Sequence, residues 1–303
     1  VSDFSRFARS LSFRSHKTGP GETLLLCDES APLLMRNGMS NFEAIWSFAC
    51  GKVVKRKGER SVMRLRLGSK DDPVAVCYLK RHRQRLTLWT AFRSLLQPGI
   101  CPGEGVKEFV FYRRFRESGL ATAEPIAAGS RRNSFFCVDS FLLTRDYAPL
   151  ICLEEVLLQR PDSLRGSGRQ AKREAILRAV ADYAARMHAS GLNHQDFNAT
   201  HILLDDPNAT TPRVALFDLQ RVDANRANRL RWPIKALAEL GFTLPPDIFS
   251  ENDRLFLLGA YRGSHALSLS GQIQYRLIKR KEAKIAAHTR RRGLAPKMTY
   301  GNG

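Results

Sequence analysis

The stretch His194-Gln195-Asp196-Phe197-Asn198-Ala199-Thr200-His201, followed some way on by Phe217-Asp218-Leu219-Gln220, holds two carboxylates and two imidazoles. Its surroundings predict how they are placed. Arg169 to Ala189 carries apolar residues at three- and four-residue steps (Ile176, Leu177, Val180, Ala184, Met187), and Gly191 stands where a left-handed cap belongs, so a long helix ends just before the loop. Two short apolar strands, 201–204 and 213–219, are joined by the turn formers of 205–212. A hairpin of this kind folds Asp218 back beside His201. One carboxylate can then accept a hydroxyl proton while the other holds a divalent cation. That division of labour is what phosphoryl transfer needs: a base for the nucleophile and positive charge on the transferred group.

Such chemistry also needs a cation for the phosphates, itself held by a carboxylate. Lys80 closes a strand-like run, Val74 to Lys80, in which Val76, Tyr78 and Lys80 share a face. A helix fits Glu104 to Glu117, with Glu108, Phe111, Tyr112 and Phe115 facing one way and Ser118-Gly119 stopping it. A strand lysine paired with a helix glutamate, followed in the chain by two aspartates, is the order of parts in a protein kinase. Each part has a plainer reading when taken singly: Lys80 is one basic residue among many, Glu108 a surface acid, His194 a loop histidine, Asp218 a turn residue.

The elements around them sketch two lobes. The chain has 303 residues with 43% apolar content, enough to bury a core. Residues 1 to about 22 read as a flexible lead, with charges every few positions and no signal-peptide core. Ala44 to Lys80 is strand-like, with Met63, Leu65 and Leu67 alternating with Arg64 and Arg66, and a turn over Gly68 to Pro73. Residues 81–102 read as a basic insertion closed by Gln97-Pro98-Gly99. Strands follow near 124–129 and 134–144, then a polar loop over 161–168; the last third is helical and the tail from 293 is read as disordered. The expected boundaries are a lead over 1–22, a sheet lobe over 23–145, a helical lobe over 146–292, and the tail. No apolar run approaches the roughly 20 residues that span a bilayer. Six cysteines without a Cys-x-x-Cys pair speak against disulfides and a zinc knuckle, and fit a reducing cytosol.

At these residues the chain resembles the lipopolysaccharide core kinases, which phosphorylate heptose or Kdo of the inner core. The matching motifs are Tyr78-Leu79-Lys80-Arg81-His82, His194-Gln195-Asp196 closing on His201, Asp218-Leu219-Gln220-Arg221 in place of Asp-Phe-Gly, and Arg231-Trp232-Pro233-Ile234-Lys235-Ala236-Leu237. They lie within roughly 45–245, where Phe141 to Arg145 is the expected hinge. The resemblance implies an α+β, protein-kinase-like fold of two lobes, an antiparallel sheet and a mainly helical body. It implies ATP and Mg2+, with Asp196 as catalytic base, His201 and Asp218 on the metal side, Lys80 on the ATP phosphates and Glu108 holding Lys80. The turn Arg56-Lys57-Gly58-Glu59 would cover the phosphates, with Lys55 and Lys57 doing what glycine amides do elsewhere. Gln195 replaces an arginine of protein kinases, and Ala236 stands where an aspartate braces the loop.

Charge bears on partners. Lys and Arg number 49 against 29 Asp and Glu, a net +20. Lys52 to Arg66 is crowded with cations around Glu59 alone, and Lys80 to Arg93 has no acid at all. The resemblance makes the acceptor an anionic glycolipid, so a peripheral, salt-releasable enzyme on the cytoplasmic face of the inner membrane is expected. Nucleic acid is not expected, because the aromatics fall mostly at core periodicity instead of interleaving with Lys and Arg. Two alternatives stay open: a phosphotransferase with another acceptor, and a catalytically weak kinase-like protein that binds nucleotide or polyanions.

Overall fold

The structure, a computed structural model, describes residues 4–16, 21–68, 75–96, 103–264 and 268–292. The expected turn over 68–73, the Pro98 and Pro102 region and the tail from 293 fall largely or wholly outside them. Ser5–Tyr147 forms one compact unit, and the chain from Ala148 onward, joined by Phe4, forms a second.

The first unit is built on a seven-stranded antiparallel sheet. In chain order it holds α1 (Ser5–Ala8), β1 (Phe13–His16), β2 (Glu22–Cys27), α2 (Ala31–Arg36), α3 (Phe42–Trp46), β3 (Lys52–Lys57), β4 (Arg60–Leu67), β5 (Ala75–Arg85), α4 (Leu88–Leu96), α5 (Glu104–Glu117), β6 (Pro125–Ser134) and β7 (Cys137–Arg145). The strand order is β1-β2-β6-β7-β5-β4-β3. Alternation decides the faces. Leu65, Leu67, Cys77, Leu79 and Leu143 are buried against Leu34, Phe42 and Ile45 from α2 and α3. The residues between them, Lys80 included, turn to the opposite face, where α5 packs.

Three expectations are corrected here. The strand-like reading from Ala44 fails at its start, because Asn41 caps α3 through Ala44 N (2.9 Å) and the spacing of Phe42 and Ile45 suits a helix on the sheet. The basic insertion does not begin at residue 81. β5 runs on to Arg85 because β7 pairs it as far as Arg85 opposite Cys137, and α4 follows. Nor is the stretch before 22 only a lead: β1 pairs with β2, and Phe7 is fully buried. The reason lies in α5. Arg116 is 2% exposed, and its guanidinium donates to the carbonyls of Arg6 and Arg9, to Thr122 O and Ala123 O, and to Thr122 Oγ1. Burial lowers its pKa to about 10, so the group stays charged and ties α1 to α5.

The second unit carries β8 (Ile151–Cys152), α6 (Leu153–Gln159), α7 (Gln170–Ala189), β9 (Asn193–His194), β10 (Ile202–Leu204), β11 (Val214–Leu216), β12 (Val222–Asp223), α8 (Trp232–Thr243), α9 (Glu251–Arg262) and α10 (Leu269–Arg291). Small antiparallel ladders, β11-β10-β8 and β12-β9, lie among the helices. Helix α7 starts within one residue of its expected position and ends at the expected one, and Gly191 has φ 77. Its Arg173 meets the Asp253 carboxylate (3.2 Å), which also receives the N–H and hydroxyl of Ser250 in the capping box of α9. One buried ion pair thus sets the register of two helices.

Arg116→Met leaves buried carbonyls without donors and is expected to destabilise the protein by about 3 kcal/mol. Urea unfolding measures this loss. Amide exchange should show residues 5–9 losing protection first; unchanged protection there would contradict the role given to Arg116.

Candidate active site

In the sheet unit, Lys80 Nζ donates to Glu108 Oε1 at 2.9 Å, with the lysine side chain 16% exposed and the glutamate 0%. Two features place this pair. Alternation along β5 puts Lys80 opposite Leu79, and α5 lies directly on the strands. Gly105 permits that approach: a Cβ there would meet the Phe141 carbonyl oxygen at 2.1 Å. Tyr112 and Phe115 are buried along with Glu108, while Phe111 is half-exposed and flanks them. The β3–β4 turn has Gly58 at φ 55, and every residue of β3, with Lys55 and Lys57, is exposed.

In the helical unit the other residues converge. The β10–β11 hairpin returns the chain so that His201 Nε2 stands 3.9 Å from Asp218 Oδ2. His201 Nδ1 lies 2.9 Å from the backbone carbonyl of Asp196, which can only accept. Nδ1 therefore carries the proton, and in the neutral ring the Nε2 lone pair faces the Asp218 carboxylate. Two electron-rich groups facing each other at this distance suit a cation between them.

Asp218 has φ 59 and ψ 60, and is the one non-glycine residue with positive φ among those described. Such backbone costs about 1–3 kcal/mol and persists only where its surroundings impose it. Here they do. Fully buried His194 donates from Nε2 to the Asp218 carbonyl (2.9 Å), Phe217 N donates to His201 O, and Leu219 is buried beyond. On the far side β12 pairs with β9, Val222 opposite His194, and Gln195 N donates to Arg221 O (2.8 Å). The 194–201 loop and the Asp218 segment are thus laced together at both ends.

Three contributors were not singled out in advance. Arg221 Nη1 bonds Asp196 Oδ1 at 2.7 Å; this guanidinium is 58% exposed while Asp196 is 17% exposed. Lys235 Nζ donates to Gln195 Oε1 (3.2 Å), so the glutamine in the arginine position gathers cations instead of supplying one. Burial and Arg221 lower the Lys235 pKa. With Ala236 apolar and buried, the loop is braced elsewhere on α8: the Thr243 hydroxyl accepts from Ala199 N (3.1 Å) and donates to Leu240 O. Arg221 and Lys235 lie inside the motifs noted above, but nothing in their spacing shows that they reach residues 195 and 196. Thr243 carries no local signal.

Comparison with known proteins places this arrangement in context. The family described as lipopolysaccharide kinase (Kdo/WaaP) matches residues 50–261. A lipopolysaccharide core heptose(I) kinase WaaP of Pseudomonas aeruginosa is 30% identical over 74% of this chain and 81% of its own length. Its counterpart of the same name in Escherichia coli is 26% identical over 80% of this chain and 91% of its own. A solved structure, WaaP in complex with acyl carrier protein, superposes with a TM-score of 0.60 at 27% identity, covering 89% of this chain and 97% of the other.

Burial lowers the pKa of both His188 and His194 from the usual 6.5 to about 4. Above pH 6.5 these rings are neutral whether the chain is folded or not. Between pH 6.5 and 4 the unfolded chain takes up protons that the folded one refuses, so stability falls with falling pH. Unfolding free energy should therefore be level near pH 7 and drop steadily toward pH 4; a flat profile across that window would contradict neutral, buried rings.

Proposed function

The chain belongs to the lipopolysaccharide kinase (Kdo/WaaP) family, and from that membership we propose that it transfers the γ-phosphate of ATP to a heptose or Kdo hydroxyl of the lipopolysaccharide inner core. The observation that carries this reading is the His201 junction, which ties the Asp196 backbone to the Asp218 carboxylate across the β10–β11 hairpin. Heptose is the sugar in the names of the relatives, and it is the acceptor we favour.

Asp196 is the proposed base. Its partner Arg221 is mostly exposed, and an exposed ion pair is worth about 1 kcal/mol or less, so an incoming sugar hydroxyl can displace it at small cost. Asp196 then orients that hydroxyl and accepts its proton. Lys235, held by Gln195 beside the same carboxylate, keeps positive charge near the reacting oxygens. Lys80, steadied by Glu108, is proposed to grip the ATP phosphates. Lys55, Lys57 and the Gly58 amide are proposed to cover them.

Among the described residues no cluster of three His, Cys, Asp or Glu side chains could hold a metal by itself. Asp218 nevertheless suits Mg2+, which characteristically takes one or two carboxylates and fills its shell with phosphate oxygens and water, and His201 Nε2 stands where it can accept from one of those waters. When bound, the ion offsets negative charge on the phosphates.

No helix among the described residues is long and apolar enough to cross a membrane. With the acceptor carried by a glycolipid, we place the protein peripherally on the cytoplasmic face of the inner membrane. The solved relative is in complex with acyl carrier protein, and the same partner is proposed here on that likeness; co-elution of the two proteins in gel filtration checks it.

Labelled ATP, Mg2+ and deacylated core oligosaccharide test the reaction. Label should appear on the sugar, and Asp196→Ala should lower kcat by about 10²–10⁴ while leaving ATP affinity near its original value. Lys80→Met should raise the KM for ATP, as should the pair Lys55→Ala and Lys57→Ala. Nucleotide binding with no transfer to the sugar would overturn the reading in favour of a silent kinase-like protein.

A further inference from the structure

The sheet unit carries an apolar surface that its catalytic parts do not use. On α4, Leu88 is 73% exposed, Trp89 69% and Phe92 55%, while Ala91 on the opposite side is buried with Leu86 and Val138. The β6–β7 turn presents Phe135 and Phe136, packed edge to face at 4.8 Å and both over 40% exposed. These segments are joined: Leu86 N donates to Phe136 O (2.7 Å), and Arg132 donates to Ala91 O (3.3 Å) while lying over the Phe135 ring. Five large apolar side chains from two elements thus share one surface.

We propose that this surface is an interfacial anchor that seats the sheet unit on an anionic lipid bilayer. The proposal rests on the reading of the acceptor as a membrane glycolipid, and it names the contact that brings the enzyme there. Charge selects the occupant. Ala75 to Leu96 holds no Asp or Glu, and neither does Pro125 to Val138. Of the cations nearby, Arg83 is committed to Asp139 and Arg131 to Glu43, whereas Arg85 and Arg93 are exposed beside the patch. Aromatic and aliphatic side chains ringed by arginine match the boundary between headgroups and acyl chains, where rings enter and guanidinium groups meet phosphate. A second copy is disfavoured by the same charges, because a two-fold contact would press these arginines onto their own equivalents.

Trp89 reports on the test directly, since Trp232 is buried and Trp46 half-buried. The full chain is mixed with vesicles of phosphatidylethanolamine and phosphatidylglycerol, or of phosphatidylcholine alone. With the anionic vesicles, tryptophan emission should shift to the blue and be quenched by brominated acyl chains, and both signals should vanish in Trp89→Phe. The double variant Trp89→Ser with Phe92→Ser should weaken vesicle binding at least about tenfold, and Phe135→Ser with Phe136→Ser should weaken it too. Phosphorylation of the soluble, deacylated core should stay unchanged in both. Salt at about 0.5 M should weaken binding by screening, yet leave the original chain tighter than its variants.

An unquenched Trp89, or variants that bind as the original does, would overturn the anchor. So would a dimer that the same substitutions dissociate, which would assign the patch to self-association. If Trp89 inserts but no sugar is phosphorylated, the anchor stands and the proposed reaction falls; the opposite pair of results removes the anchor alone.

Discussion

A single hydrogen bond, from buried His194 to the backbone carbonyl of Asp218, is the constraint around which the candidate site is organised. It holds an aspartate in left-handed backbone that the residue would not otherwise keep. The β9–β12 pair on one side and the β10–β11 hairpin on the other prevent relaxation, so the cost of that conformation is borne by the ladders and not by the site. The result is a carboxylate aimed at His201, whose tautomer is set by the Asp196 carbonyl. Because both rings are held by backbone carbonyls, side-chain substitutions nearby leave their orientation largely intact.

The two units solve the problem of buried charge differently. In the sheet unit, Lys80 and Glu108 form a pair with the acid fully buried, which fixes the lysine head group at the cost of desolvating both. In the helical unit, Asp196 is bonded to the mostly exposed Arg221. The first arrangement favours rigidity and the second favours exchange of partners, which are the properties the roles proposed for Lys80 and Asp196 require. Arg116 and Arg173 are a third use of charge: each satisfies several carbonyls or a capping carboxylate, and each fastens remote segments to its helix.

Much of this was legible along the chain wherever the signal is local. Helix α5 has its expected ends, because Gly103 precedes it and Ser118-Gly119 closes it. The hairpin that returns Asp218 to His201 follows from turn formers between two apolar runs. Local pattern misleads where distant partners decide. β5 outruns its expected end because β7 offers it a partner as far as Cys137, and α1 joins the sheet unit because Arg116 holds the carbonyls of Arg6 and Arg9.

Residue types, periodicity and motif order by themselves determined the kinase-like order of Lys80, Glu108, Asp196 and Asp218 and the basic character of the surface, while the fold class came with the family resemblance those motifs carry. These depend on short-range backbone preference and on composition, both written in neighbouring residues. Only the tertiary structure decided that Arg221 bonds Asp196, that Thr243 braces the loop that Ala236 cannot, that Asp218 is left-handed, and that Trp89 and Phe135 stay exposed. Each of those facts is a meeting of groups far apart in the chain or an exposure left over once the core has been filled. Such outcomes depend on which side chains reach one another in space, and no local pattern encodes that.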